Sequence, residues 1–249
     1  MVGEEILRED KFSSLLGVLR GAQRAEVDYL ELPYIQVDAQ GNVFYQLGIG
    51  GPFHREDGPA IEYVSGDRCW YAHGKLHRVD GPAVEYADGD CEWRCNGQFH
   101  RDNGPARVRV NGHQEWYCQG VLHREDGPAI VKANGDSLWY LHDKQHREDR
   151  AAVEYANGDR EWWMHGELHR EDGPAIIRAN GDCEWWYYNQ RHRQAGPAVQ
   201  CVNGTKEWWM QGQRHREGGP AIVKSNGKRY WYFRGERIKK PVSVKYQNR

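Results

Sequence analysis

The sequence predicts an all-β protein: an elongated, twisted antiparallel sheet or solenoid of about eight to nine 23-residue β-hairpin repeats, with a short N-terminal helical cap. Three observations predict this fold. The dipeptide His-Arg recurs every 23 residues, Asn-Gly recurs between short extended runs, and all eleven tryptophans fall at two adjacent positions of the repeat. Asn-Gly between extended runs is a strong hairpin signal, and a fixed period of this length indicates a repeat architecture.

Eight complete repeats follow one another from residue 54 to residue 237. We number them 1 to 8 from their first residues, which are His54, His77, His100, His123, His146, His169, His192 and His215. A degenerate half-repeat comes before the first complete repeat, and the degenerate start of a ninth repeat comes after the last one. The predicted organisation is a helical cap at 1–33, a repeat array at 34–240 and a basic tail at 241–249.

The cap prediction comes from the first forty residues. Asp10 is placed to cap a helix whose apolar residues Phe12, Leu15, Leu16 and Leu19 share one face. Such a helix would cover the first hairpin, because each repeat contacts only its neighbours and the ends of an array need caps.

A two-residue loop at each Asn-Gly, of type I′, fixes the predicted pairing within a repeat. In repeat 6 this loop places Ile176 opposite Trp185, and Ala175 opposite Trp186. One face of the sheet then carries Ile or Val against the first tryptophan of each repeat. Beside that tryptophan, on the same predicted buried face, lie Ala72, Cys95, Cys118, Leu141, Met164, Tyr187, Met210 and Phe233.

The opposite predicted face carries alanine against a second row of rings, which we call the aromatic column. Its members are Tyr71, Tyr117, Tyr140, Trp163, Trp186, Trp209 and Tyr232, with Arg94 as the one interruption. Glutamates lie two residues before many of these rings, which indicates that this face is partly exposed to solvent.

The six residues His-Arg-x-Asp-Gly-Pro, which we call the corner, join one hairpin to the next. Proline has no N–H to donate, so the corner cannot lie in the middle of a ladder. We expect its Arg and Asp to form a charge-assisted hydrogen bond and its His to bond to backbone.

Composition excludes several classes of protein. The net charge is −2, no apolar run reaches the roughly 18 residues of a membrane span, and six cysteines without a CxxC motif are too few for a disulfide scaffold. With no signal-peptide core after the acidic first residues, a cytoplasmic location is expected.

Catalytic and metal chemistry find no support in the sequence. The His-Arg-x-Asp motif lacks the glycine-rich loop and Asp-Phe-Gly of a kinase and recurs in several repeats, whereas a catalytic loop occurs once. Equivalent side chains in successive repeats should lie roughly 10 Å apart, too far to share a zinc ion or, for Cys95 and Cys118, a disulfide. We therefore predict no catalytic residue, no metal site and no cofactor.

The hairpin repeat resembles the MORN family. Gly74-Lys75-Leu76-His77 and Asp88-Gly89-Asp90 are similar to the two turn regions of that motif, and the resemblance covers about residues 34–240. The chain departs from the family in having His-Arg-x-Asp-Gly-Pro-Ala where MORN units usually have H-G-x-G. The resemblance implies twisted, elongated sheets used for protein binding, dimerisation and scaffolding, sometimes with membrane-lipid contact, and it does not imply an enzyme.

Charge is distributed unevenly along the chain. Residues 1–40 carry four Lys/Arg and eight Asp/Glu, whereas residues 201–249 carry twelve and three. The predicted basic end comprises Arg229, Arg234, Arg237, Lys239 and Lys240.

These features favour a non-enzymatic binding or scaffold protein whose aromatic column binds, and in one version sequesters or inhibits, a protein partner. Two alternatives stay open. The first is binding of a nucleic acid or an anionic membrane by the basic end and its interleaved aromatic residues. The second is a self-assembling homo-oligomer, in which the acidic N-terminal segment of one copy binds the basic end of another.

Overall fold

The computed structural model describes residues 33–239, so the predicted helical cap and the tail at 241–249 lie outside the described residues. The chain divides into two compact units, Met1–Arg101 and Asp102–Arg249. The described residues of both units form strands and turns, with no helix among them. The predicted all-β hairpin repeat is therefore confirmed.

The strands are short. In the first unit they are β1 Pro33–Val37, β2 Val43–Leu47, β3 Ile61–Glu62, β4 Arg68–Cys69, β5 Tyr71–Ala72, β6 Lys75–Leu76, β7 Val84–Glu85, β8 Cys91–Glu92, β9 Arg94–Cys95 and β10 Gln98–Phe99. In the second unit they are β11 Arg107–Val108, β12 Gln114–Glu115, β13 Tyr117–Cys118, β14 Val121–Leu122, β15 Ile130–Val131, β16 Ser137–Leu138, β17 Tyr140–Leu141, β18 Lys144–Gln145, β19 Val153–Glu154, β20 Arg160–Glu161, β21 Trp163–Met164, β22 Glu167–Leu168, β23 Ile176–Ile177, β24 Cys183–Glu184, β25 Trp186–Tyr187, β26 Gln190–Arg191, β27 Val199–Gln200, β28 Lys206–Glu207, β29 Trp209–Met210, β30 Gln213–Arg214, β31 Ile222–Val223, β32 Arg229–Phe233 and β33 Glu236–Ile238.

Each repeat contains two hairpins. In repeat 6, β23 and β24 form the main hairpin, and β25 and β26 form the side hairpin. The main hairpins pair with one another in chain order as an antiparallel meander. It runs from β1 through β2, β3, β4 and β7 to β8 in the first unit, and β12, β16, β20, β24 and β28 each bridge two successive repeats in the second.

The main hairpin does not have the predicted two-residue loop. In repeat 6 the Arg178 N–H donates to the Asp182 carbonyl (2.8 Å), and the Gly181 N–H donates to the Arg178 carbonyl (2.8 Å), which leaves three loop residues. Only the glycine of each Asn-Gly pair has a positive φ, 91° at Gly181. This is a three-residue loop with glycine in the left-handed region, so the type I′ prediction at Asn-Gly was wrong.

The type I′ geometry occurs instead at the tip of each side hairpin. Two successive residues there have positive φ, at 44–50° and then 59–87°, in all eight repeats. In repeat 6 these residues are Tyr188 and Asn189, and the turn places Trp186 opposite Arg191.

The one-residue difference in loop length changes the predicted register. Ile176 lies opposite Glu184 rather than Trp185. The Trp185 N–H instead donates to the Ala198 carbonyl of the next repeat (2.8 Å), as Trp162 does to Ala175. The repeated alanine thus pairs with the first tryptophan and not with the aromatic column, contrary to the prediction.

Burial follows the corrected register. The eight repeated alanines are each 0% exposed: Ala60, Ala83, Ala106, Ala129, Ala152, Ala175, Ala198 and Ala221. The first tryptophans are half-buried. The residues predicted beside them on a buried face are not buried: Cys118 is exposed, and so are Tyr187, Met210 and Phe233. That part of the prediction was wrong, because these residues lie in the side hairpins, most of which form two-stranded sheets apart from the main sheet. The Ile and Val predicted on the same face are buried in most repeats, with Ile61 and Ile176 only 3% and 5% exposed.

The row of buried alanines predicts that a larger side chain at any of these positions destabilises the fold. Replacing Ala175 with valine should lower the free energy of unfolding by about 1–3 kcal/mol, because two methyl groups would enter a fully packed position. Replacing the exposed loop residue Ala133 with valine should change it by less than about 0.5 kcal/mol. Urea unfolding followed by tryptophan fluorescence measures both, and equal midpoints for the two variants would contradict the buried-alanine core.

Candidate functional site

The aromatic column lies on the first residue of each side hairpin, directly after the first tryptophan. All seven predicted rings are half-buried. Each pairs with the residue that precedes the next corner, as Trp163 does with Leu168 and Trp209 with Arg214. The structure thus places every predicted partner-binding residue at one equivalent position of its repeat, and each ring is partly accessible to solvent.

Glutamates hold the three indoles of the column. Trp163, Trp186 and Trp209 donate their Nε1–H groups to Oε2 of Glu161, Glu184 and Glu207, at 3.1, 3.0 and 3.1 Å. In repeat 3 the Tyr117 hydroxyl donates to Glu115 (3.1 Å) in the same way. Burial, together with this carboxylate, raises the pKa of Tyr117 to about 12. The rings are therefore fixed before any partner arrives.

Arginines lie between the rings in the last repeats. Arg191 lies 5.0 Å from the ring centre of Trp186 and 5.4 Å from that of Trp209, and its guanidinium bonds to Glu184 at 2.9 Å. Arg214 repeats this arrangement with the Trp209 ring (4.8 Å) and Glu207 (3.4 Å). The predicted site residues did not include these arginines, although the register of a side hairpin places both opposite column rings, Arg191 opposite Trp186 and Arg214 opposite Trp209.

The corner arginines cover the other row of tryptophans. Seven of them stack on the first tryptophan of the preceding repeat, with the guanidinium carbon 3.7–4.2 Å from the ring centre; the arginines are Arg78, Arg101, Arg124, Arg147, Arg170, Arg193 and Arg216. A flat, weakly hydrated guanidinium packs well on an indole face. A side chain at the corner Gly173 would place its Cβ 3.0 Å from the Arg170 guanidinium carbon, which explains the glycine.

The expected corner hydrogen bonds are present in four repeats. The guanidinium Nε donates to the Asp three places after the histidine at 2.7–3.2 Å; the pairs are Arg55–Asp57, Arg78–Asp80, Arg124–Asp126 and Arg170–Asp172. The Nη1 group donates to the carbonyl of the residue before the repeated alanine, such as Pro174 (3.3 Å). The corner motif therefore has a structural role in these repeats.

The corner histidine joins two successive side hairpins. In repeat 5 the His165 N–H, at the first positive-φ residue of the side turn, donates to Nδ1 of His146 (3.2 Å), and the two imidazoles stack with centres 4.3 Å apart. The same bond recurs at His54, His77, His123, His192 and His215. Because Nδ1 accepts only without a proton, this contact requires a neutral ring that carries its proton on Nε2. The predicted His-to-backbone bond is confirmed.

A groove opens between the corners of repeats 6 and 7. It has a volume of about 840 Å³, and its lining includes Trp185 and Trp186, the corner residues Asp172 and Arg193, and Gln190. It is the place where the aromatic column, the stacked arginines and the corner loops meet.

The described members of the basic end are all exposed. Arg229, Arg234, Arg237 and Lys239 lie in or beside the last hairpin, with Arg234 5.4 Å from the Phe233 ring and Arg237 5.1 Å from the Tyr230 ring. Lys240 lies outside the described residues.

Within residues 33–239 there is no group of three His, Cys, Asp or Glu side chains that could hold a metal ion. The six cysteines are free. The described part of the chain also contains no helix long and apolar enough to span a membrane.

The buried His146 predicts a pH dependence of stability. Burial lowers its pKa below the usual 6.5 and His165 adds to this, while Glu148 opposes it. As pH falls below about 6.5 the unfolded chain binds the proton first, so stability that is present above this pH is lost. His146→Asn, whose amide oxygen can accept the same N–H without titrating, should lose less stability between pH 7.5 and 5.5 than the wild type in urea unfolding. Parallel losses in the two proteins would count against the Nδ1 contact.

Comparison of the sequence with models of protein families finds no match, and comparison with curated proteins finds none. The resemblance to MORN repeats therefore stays a prediction, carried by the turn motifs alone.

Proposed function

We propose that this chain is a non-enzymatic binding or scaffold protein whose aromatic column binds a protein partner. The observation that carries the proposal is the row of Trp163, Trp186 and Trp209, each with its indole N–H bound to a glutamate at 3.0–3.1 Å. Aromatic side chains are the strongest anchors of protein interfaces, and a ring that is already fixed loses little entropy on binding.

The spacing of these rings supports a protein as the partner. They recur once per repeat, at an interval of roughly 10 Å that follows from two strands of about 4.8 Å each. A surface of this kind offers several anchors in a line, which suits an extended or flat partner better than a small molecule enclosed in a cavity. Sequestration of the partner and a MORN-like scaffold role in the cytoplasm are specific versions of this proposal.

Affinity capture tests whether the aromatic column binds a protein partner. The full chain with Trp163, Trp186 and Trp209 replaced by serine should lose at least about tenfold of the partner that the wild type captures from an extract, measured by mass spectrometry. The loss is expected because the anchors of an interface carry most of its binding energy.

A matched control changes the next residue of two of the same strands, with Met164 and Met210 replaced by serine; Tyr187 is left unchanged because it lines the groove beside Trp186. This control should retain capture, since the two methionine side chains point to the other face of the strand. Retention by both variants, or equal loss by both, would overturn the proposal. Circular dichroism and urea midpoints for both variants show whether folding is preserved, and the single Trp186→Ser variant serves if the triple variant unfolds.

A second candidate function is binding of a nucleic acid or an anionic membrane through the basic end. The observation that favours it is the exposure of Arg229, Arg234, Arg237 and Lys239, none of which has a carboxylate partner among the described residues. Phosphate binding of this kind weakens steeply with salt. The wild type should then bind a heparin column at 50 mM salt and elute early in a salt gradient, and a variant with glutamine at these four positions should not bind; a wild type that flows through at 50 mM removes the candidate.

A further inference from the structure

Repeat 7 keeps the corner arginine but has lost its carboxylate partner. Ala195 occupies the position where Asp172 stands in repeat 6. A second carboxylate contact, made by Arg55, Arg78 and Arg147 to a glutamate seven residues later in repeats 1, 2 and 5, is also lost, because the equivalent residue in repeat 7 is Gln200.

Arg193 is nevertheless held in the usual corner position. Its guanidinium carbon lies 3.8 Å from the Trp185 ring centre, and its Nη1 group donates to the Pro197 carbonyl (3.1 Å). Its Nε, which in repeat 6 is the atom that bonds to the corner Asp at 2.7 Å, has no partner among residues 33–239. Burial lowers the pKa of Arg193, whereas for Arg55 the bonds to Asp57 and Glu62 outweigh the burial and raise it. A half-buried charge without a counter-ion is costly and favours an incoming anion.

The groove gives that anion access. Arg193, Gln194 and Ala195 line it together with Trp185 and Trp186. The acidic residue on the opposite corner, Asp172, already bonds to Arg170.

We propose that Arg193 binds a carboxylate side chain from an acidic segment of the protein partner, in the position that the corner Asp occupies in other repeats. The inference rests on the proposed function and extends it by naming the chemistry of the partner. Trp186, which lines the same groove, connects this contact to the aromatic column.

Charge complementarity supports an acidic partner. Residues 123–190 carry eight Lys/Arg and fourteen Asp/Glu, whereas residues 191–239 carry eleven and three. The acidic partner would therefore lie toward the last repeats. Arg216 of repeat 8 is similar to Arg193 in its stacking on Trp208 (3.7 Å). It does not line this groove, so the proposal is confined to Arg193.

A protein carboxylate fits this groove better than a nucleic acid does. The corner loop of repeat 6 brings Glu171 and Asp172 to the groove with side chains 77% and 82% exposed. A nucleic acid carries a phosphate at every nucleotide and would meet these charges along its length, whereas a peptide can place one carboxylate at Arg193 and uncharged residues beside Glu171 and Asp172. The same bond within repeats 1, 2, 4 and 6 shows that the corner accommodates a carboxylate at 2.7–3.2 Å.

The test supplies Arg193 with a carboxylate from its own corner, so that a carboxylate of the partner can no longer bind there. Ala195→Asp should place a carboxylate beside Arg193 and lower the affinity for an acidic probe at least about tenfold, the loss expected for one hydrogen bond to a charged group. Ala133→Asp adds the same charge to an exposed loop of repeat 4 and is the matched control. Asp172→Ala should do the reverse, because it frees Arg170 and creates a second site, and should raise the affinity about twofold or more.

The probe is a fluorescein-labelled twelve-residue peptide of Gly and Ser with one central Glu, compared by anisotropy with the same peptide carrying Gln in place of Glu and with a twelve-nucleotide oligothymidine. The proposal expects the Glu peptide to bind the wild type best. Tighter binding of the oligonucleotide, equal weakening by Ala195→Asp and Ala133→Asp, or no effect of Ala195→Asp would overturn it. Capture that is lost in the tryptophan variants but unchanged in Ala195→Asp would refute this inference alone, whereas capture unchanged in the tryptophan variants would refute the proposed function.

Discussion

The fold depends on side chains that satisfy the backbone N–H groups of tight turns in adjacent segments. Strands of two residues pair too few backbone groups to hold such turns, and an unpaired buried N–H costs about as much as a lost hydrogen bond. At the side turns the acceptor is the corner histidine, as in His146 with the His165 N–H. At the main turns it is the residue after the loop glycine, as in Asp159 with the Ala179 N–H of the next repeat (2.8 Å). Because both kinds of contact must be in register at once, a repeat cannot gain or lose a residue, which explains the constant 23-residue spacing.

The period, the hairpins and the aromatic column could be predicted from sequence, since each follows from residues that recur at a fixed position. The register could not, because Asn-Gly is compatible with both a two-residue and a three-residue loop. Asn180 in fact accepts from the Asp182 N–H (2.9 Å) while Gly181 alone takes the positive φ. The type I′ turns could not be recognised from their first residues, because these vary in chemistry from repeat to repeat: Asn96, His142 and Tyr188 adopt φ values of 44–50° only because the turn imposes them.

The burial of alanine has a consequence for how the molecule is stabilised. Tryptophan was expected to be the buried residue, but the fully buried side chain is alanine, and the tryptophans are half-covered by arginines at 3.7–4.2 Å. An arginine used in this way brings a charge that must be balanced, which is why the corners and the following strand supply Asp57 and Glu62 to Arg55. Packing and electrostatics are therefore coupled in the repeats that keep these carboxylates, and the candidate site could not be located from the pattern of apolar residues alone.

This coupling distinguishes a tolerated departure from the repeat from one that leaves a binding group behind. Repeat 5 also has an irregular corner, with Arg150 in place of the glycine, and the described structure has no bond between Arg147 and Asp149. Arg147 is still balanced there, because Glu154 lies 3.1 Å from it. Repeat 7 has lost both carboxylates but has kept the stacked arginine, so nothing within its own repeat neutralises Arg193. If Arg193 only covered Trp185, the fold would be more stable with the carboxylate retained. The loss of that carboxylate beside an open groove is the observation from which we propose an acidic group supplied by a partner.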